Sequence, residues 1–213
     1  SDWSSDVCSS DLNVGLGLAL KEGLNHCSYD LVARMDSDDI SKPERLEKER
    51  KYMEQHPETD VVGSWTEEFY GDTAHPISIR KVPATHKQLV SFSKKRNPMN
   101  HPTVMFRKES VIKAGSYRHC SLFEDYDLWV RMIHHGAKFY NLQEPLVFFR
   151  LTKKFYERRG GTDYILKEIT FQKSIQKMGH ISYIRMILNI IVRTSMRMMP
   201  NKWRKNSYLF LLR

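Results

Sequence analysis

The stretch YDLVARMDSDDISKPERLEKE, Tyr29 to Glu49, decides how this chain folds. Its LVARM portion is short, contains β-favouring side chains and is bounded by polar clusters, so it reads as a strand ending at Asp36. In SKPE, Ser41 and Glu44 stand at S-x-x-E capping spacing. Pro43 falls in the first turn, where its missing N–H costs little, so a helix follows to about Gln55. Upstream, NVGLGLALKEGLNHC spaces Leu16, Leu20 and Leu24 four apart behind Asn13, a suitable N-cap, and predicts another helix despite Gly15 and Gly17. Helix, strand, acidic loop and helix form an α/β order. The loop crowds Asp36, Asp38 and Asp39 into four residues, and their repulsion must be offset by something positive.

Downstream, DVVGSWTEEFY reads as a strand continuing past Gly63, and a loop runs through HPISIRKVP. A helix from about Thr85 to Lys95 leads to NPMNHPTVMFR, whose TVMF is a strand, and RKESVIKAG is a short helix. SLFEDYDLWVRMIHHG puts Leu128, Trp129 and Met132 on one helical face and stops at Gly136. AKFYNLQEPLVFFR supplies one or two more strands. The opening SDWSSDVCSSDL, residues 1–12, is rich in Ser and Asp, has no periodicity and reads as a non-native segment outside the fold.

The chain has 213 residues, which suits one domain and an appendage, and its 40% apolar and 28% charged content is globular. Cys8, Cys27 and Cys120 are odd in number and widely spaced, which argues against a disulfide framework or structural zinc and for a reducing, cytoplasmic setting. The net charge of +9 sits in the tail: residues 151–213 carry 14 Lys and Arg against 3 Asp and Glu. Such a block needs an anionic partner or a solvated face; phospholipid, nucleic acid and nucleotide all qualify. In HISYIRMILNIIVRTSMRMMP, Arg185, Asn189, Arg193 and Arg197 recur every four positions as a polar stripe on an apolar helix. Its apolar runs fall far short of the ~20 residues that cross a bilayer. The helix either packs on the domain or lies in a membrane interface with its arginines at the headgroups, where Trp203 and Tyr208 also fit.

Three chemistries compete for MDSDDIS. An EF-hand loop fails because Ile40 stands at its fifth position and no Gly follows. A phosphatase of the haloacid dehalogenase type also carries Asp-x-Asp after a strand, but usually with Thr where Ile40 stands. The third is a divalent cation held by one or two carboxylates together with nucleotide phosphates. It relieves the carboxylate repulsion and neutralises a departing diphosphate. A solvated acidic turn capping the next helix is the plain alternative.

Taken together, N-x-G-L-x-x-A-L, ARMDSDD-x-S-x-PERL, DVVGS, NHPTVMFR and FEDYDLWVR, in this order and spacing, resemble the family 2 glycosyltransferases of bacterial polysaccharide and cell-envelope synthesis. The resemblance implies a GT-A fold, an α/β Rossmann-like mixed sheet flanked by helices over residues 13–150, followed by a basic helical tail over 151–213. It also implies a metal-dependent, inverting transfer from a nucleoside diphosphate-sugar, a UDP-sugar by preference, to a glycan or lipid-linked acceptor. Asp38 then becomes a direct ligand of Mn²⁺ or Mg²⁺, Asp36 a contact to nucleotide or metal, and Asp39 a support. The Glu-Asp pair falls on Glu124 and Asp125, with Asp125 as general base at a helix start. Arg150 is placed to reach phosphate, and His101 and Trp129 to lie on the acceptor side. Thr152 stands near where many relatives carry a metal-binding His, which leaves the third ligand open, and Arg34 pairs with the acidic cluster. The strand-helix-strand opening that holds uracil and ribose in this family does not precede Asn13, so an N-terminally truncated, inactive fragment is expected. The setting implied is the cytoplasmic face of the membrane, with the basic tail on anionic lipid and no nucleic acid. The alternative is a non-catalytic scaffold whose basic tail engages membrane or nucleic acid.

Overall fold

The computed structural model describes residues 14–152, 155 and 159–199. The expectations for residues 1–12, Asn13, Trp203 and Tyr208 lie outside them. At the centre are two parallel strands, β3 (Val61–Phe69) and β6 (Phe139–Arg150), paired from Val61↔Phe139 to Phe69↔Arg150 with a shift of register around Trp65. Beyond β3 lies β5 (Met105–Arg107), and beyond that β1 (Leu31–Ala33), each antiparallel to its neighbour. The other edge is β2 (Ile40–Ser41), antiparallel to β6, while β4 (Ser78–Arg80) pairs with the far half of β3. The order is therefore β1-β5-β3-β6-β2, a mixed sheet with helices around it, as expected.

This topology positions the acidic loop. Strands β1 and β2 are consecutive in the chain but occupy opposite edges, so Arg34–Asp39 must cross the sheet between them. The carboxylates are thus held between two anchored strands, with Lys42 N–H donating to Leu146 as the chain leaves.

Helix α1 (Leu16–His26) starts behind Gly15, whose φ of 83° only glycine adopts readily. Gly17 is needed for a different reason: a Cβ there would collide with the Arg118 carbonyl oxygen. Helix α2 (Arg45–Gln55) ends where predicted, but the expected capping box is absent. Pairing with β6 recruits Ser41 into β2, and Glu44 becomes the N-cap, so tertiary pairing overrides the local signal. A capping box does occur at Thr85 and Gln88, where it starts α3 (His86–Ser93). The strand expected to reach Asp36 ends at Ala33, and β4 forms inside the stretch read as a loop.

A 3-10 turn (His101–Thr103) leads into β5, and α4 (Lys108–Lys113) follows it. Helix α5 (Glu124–His134) ends in a Schellman arrangement, with Gly136 at φ 85° and N–H groups of Gly136 and Ala137 returning to Ile133 and Met132. One face of α5 buries Leu128, Trp129 and Met132 against Val61, Phe106 and Phe139. Full burial of such side chains contributes about 1.5–3 kcal/mol each.

The opposite face of α5 carries Phe123, Tyr126 and Val130, and these pack on α6 (Thr162–Lys177) through Phe171 and Ile175. The Phe123 and Phe171 rings stack at 4.7 Å. Helix α7 (Tyr183–Met198) follows and packs on the domain, one of the two placements open from its sequence. The polar stripe faces inward: Asn189 and Arg197 are buried, and Arg193 and Arg197 both donate to the fully buried Glu168 of α6, at 2.8 and 2.6 Å. Asn189 donates to Gln172 and to the Lys94 carbonyl. The apolar side is the exposed one, with Ile184 at 73% and Ile191 at 56%. The physical reason lies on α6, where the buried Glu168 must be paired and the stripe supplies Arg193 and Arg197. None of the described helices is long and apolar enough to cross a membrane.

Candidate active cleft

The cleft is built from the acidic crossing segment, the turn before the 3-10 element, the start of α5 and the inner side of α7. Its volume is about 770 Å³, and Asp36, His101, Glu124 and Asp125 all line it. Asp36 of the acidic loop and the α5 carboxylates, more than 85 residues apart in the chain, therefore share one cavity.

Arg34 explains how the loop tolerates its charge. Its guanidinium, 8% exposed, donates through both terminal nitrogens to the two oxygens of Asp36. The Arg34 carbonyl accepts from Arg45 at 2.8 Å, and Arg45 is itself paired with Glu49 beneath the loop. Burial pushes Glu49 up to about 8 despite that partner. Arg34 also acts electrostatically on His101 and Asp125, so one buried cation spans both acidic segments.

The other two loop carboxylates differ in surroundings. Asp38 is exposed, whereas Asp39 is buried and accepts the Arg150 backbone N–H at 2.9 Å. Burial, followed by the Asp36 and Asp38 charges, raises the Asp39 carboxyl to about 6 against that hydrogen bond. Its second oxygen is buried without a hydrogen-bond partner. Among the described residues no three His, Cys, Asp or Glu converge as a closed metal cage. An orphaned oxygen beside two further carboxylates fits a Mg²⁺-type site, in which phosphate oxygens and water complete the shell.

At the start of α5, Asp125 is half-buried, with Asn97 donating to one oxygen at 2.5 Å and the Tyr126 N–H to the other at 2.8 Å. Burial pushes its pKa up; the Asn97 and Tyr126 hydrogen bonds and the Arg34 charge pull it back only in part. A carboxylate so raised is a better proton acceptor near neutral pH than a solvated one. Glu124 is also raised, again by burial first. The third acid of FEDYD serves the fold instead. Asp127 is fully buried between Arg118 and Arg131, and Arg131 donates onward to the Ala114 and Ser116 carbonyls. That network fixes α5 to the preceding turn.

His101 touches the cleft, shares a 3.0 Å hydrogen bond with the Tyr117 hydroxyl, and is held neutral by burial and by Arg34. Of the residues expected at the site, Asp38, Asp39, Arg150 and Trp129 are not among those lining the cleft. Trp129 is fully buried in the core, edge-on to His101 and Phe139, and has no surface to offer an acceptor. Arg150 donates to the Asp38 carbonyl at 2.8 Å and lies over the Phe69 ring, which ties it to the acidic loop. Asn97 is the residue that sequence reasoning missed. It sits before a proline with no motif around it, and only the fold brings it to Asp125.

The model for glycosyl transferase family 2 matches residues 2–115, just over half of the chain. UDP-Gal:alpha-D-GlcNAc-diphosphoundecaprenol beta-1,3-galactosyltransferase of Escherichia coli is 38% identical over 201 residues, covering 94% of this chain and 73% of that protein. The amylovoran biosynthesis glycosyltransferase AmsE of Erwinia amylovora is 39% identical over 190 residues, covering 89% and 71%. Among solved structures, S. aureus TarS 1-349 in complex with UDP-GlcNAc superposes with a TM-score of 0.53 at 13% identity, over 92% of this chain. This chain spans about half, 54%, of that one, and the likeness is one of fold. With motifs, sheet order and relatives in agreement, the chain belongs to glycosyl transferase family 2.

Proposed function

We propose that the protein transfers a sugar, with inversion, from a UDP-sugar to a lipid-linked or glycan acceptor in polysaccharide or cell-envelope synthesis. The observation that carries this reading is the common cleft of Asp36 and Asp125. A donor diphosphate at the acidic loop and an acceptor hydroxyl at Asp125 place leaving group and nucleophile on separate walls, as in-line displacement requires. Asp125 takes the hydroxyl proton, Asn97 and the Tyr126 N–H hold the carboxylate, and Arg34 stabilises the negative charge of both walls. Asp38, with Asp36 and Asp39 in support, would hold Mn²⁺ or Mg²⁺, which supplies neutralising charge for the diphosphate. The relative from Escherichia coli named for a diphosphoundecaprenol acceptor supports the acceptor class. The exposed apolar side of α7 and the basic C-terminal part support a peripheral seat on an anionic membrane.

The test is turnover by the full-length protein on a panel of UDP-sugars with a lipid-linked acceptor, with and without chelator. Transfer that stops with EDTA, returns with Mn²⁺ and inverts the anomeric centre supports the reading. A retained configuration contradicts it.

A further inference from the structure

The cleft is more cationic than a donor site alone explains. Among its described lining residues, eight Lys and Arg face four carboxylates. Five of these cations come from two neighbouring segments: Lys95 and Arg96 follow α3, and Arg185, Arg193 and Arg197 stand on α7. Glu168 is the one carboxylate these last two arginines share. The Arg185 guanidinium has no ion-pair or hydrogen-bond partner among the described residues. Arg96 is half-buried beside Arg193, and burial followed by the charge of Arg193 works against its protonation, so two cations of the cleft stand close together.

Beside this cluster the surface turns apolar. Leu188 and Val192 line the cleft and remain 47% and 57% exposed, and one turn round the helix they merge with Ile184 and Ile191. On a helix of 3.6 residues per turn, 184, 188, 191 and 192 form one continuous stripe, with Arg185 at its cleft-side margin. A cationic pocket that opens onto a hydrocarbon ramp has the polarity of one kind of molecule: an anionic phosphate head with a long apolar chain.

We infer that the Arg185–Arg193–Arg96 side of the cleft and the Leu188–Val192 lip of α7 form the acceptor's lipid subsite. The guanidinium groups bind its phosphate or diphosphate, and the lip carries the first part of its hydrocarbon chain. This rests on the transferase reading but concerns a separate wall. The cationic charge on the phosphate oxygens supplies the head contact, and the exposed aliphatic side chains supply the chain contact. Glu168 draws the polar stripe inward, and the hydrocarbon chain gives a role to the apolar side that this leaves uncovered next to the cleft.

The experiment is equilibrium dialysis of the full-length protein with farnesyl diphosphate, compared with inorganic pyrophosphate and with farnesol. The expected result is binding of farnesyl diphosphate at least tenfold tighter than either, weakened at least tenfold by Arg185→Glu and by Val192→Asp, and retained by Arg185→Lys. Both positions are accessible, and an unchanged circular dichroism melt verifies that the variants fold. UDP with Mn²⁺ should not displace the probe, and Asp125→Asn should leave its binding unchanged. Displacement by UDP, equal affinity for pyrophosphate, or indifference to both substitutions would overturn the subsite. Intact farnesyl diphosphate binding in a protein that transfers no sugar would instead count against the transferase reading alone.

Discussion

Replacing Glu168 by Gln should release α7 while leaving the sheet folded. Glu168 is fully buried and accepts from Arg193, Arg197 and Gln172 at 2.8, 2.6 and 3.0 Å. Burial alone would raise its pKa, but the two arginine charges overcome this and hold it below the usual carboxylate value. The amide keeps the shape and removes the charge, so two guanidinium groups, 17% and 6% exposed, lose their counter-ion. Breaking one partner of a buried ion pair costs about 3–5 kcal/mol. The apolar hold on α7 is small: Met186 and Met196 are its buried apolar side chains, at about 1.5–3 kcal/mol each. The loss therefore matches what keeps the helix docked, and the opening should be local rather than global. Hydrogen exchange read by mass spectrometry should show Tyr183–Met198 losing protection by roughly 10²–10³-fold, at about 1.4 kcal/mol per factor of ten, with Val61–Phe69 unchanged. Protection of α7 within threefold of the parent would refute the reasoning and make the buried network incidental.

Asn97→Ala removes a hydrogen bond that favours the ionised form of Asp125, so the acid limb of kcat/KM should move to higher pH and turnover fall about tenfold or more, with UDP affinity unchanged. A pH profile identical to that of the parent would remove Asn97 from its positioning role. His180 is neutral in the fold, lowered to about 4 by burial and by His134, and its Nε2 lies 2.9 Å from the Ser93 hydroxyl. Its folded pKa is below the ordinary 6.5, so its contribution is full above about 6.5 and is lost as pH falls toward 4. Urea melts should show up to about 3 kcal/mol of acid destabilisation across that window, flattened in His180→Gln. Gly17→Ala should cost about 1–3 kcal/mol, because its Cβ runs into the Arg118 carbonyl oxygen and either α1 or the 118 turn must shift. An unchanged thermal midpoint would show that the two segments do not pack so closely.

What the sequence made legible was periodic or strongly punctuated. Leu128, Trp129 and Met132 mark the buried face of α5, and Gly136 ends the helix, because a 3.6-residue period and a positive φ leave direct traces in residue type. Features decided by pairing partners left weaker traces. Ser41 has the spacing of a cap but is drawn into β2 by Val147, and the Ser78–Arg80 segment becomes a strand because β3 offers it an edge. At the site, the carboxylates of the acidic loop and of α5 stood out as clusters, while Asn97 carried no local mark. The stripe on α7 was visible, but its direction was not, because a polar stripe faces water unless a buried charge calls it inward. Glu168, one acid among ordinary helix residues, is that charge.

Asp36 of the acidic loop and Asp125 line a single cleft, and the proposed chemistry requires loop and base to act there on one donor–acceptor pair. The most direct test is Asp125→Asn in the full-length protein, with UDP and Mn²⁺ titrated calorimetrically alongside a sugar-transfer assay. Donor affinity should stay within about twofold of the parent while turnover falls by roughly 10²–10⁴-fold, the usual range for loss of a general base. Turnover that persists at the parent's rate would contradict this division of roles.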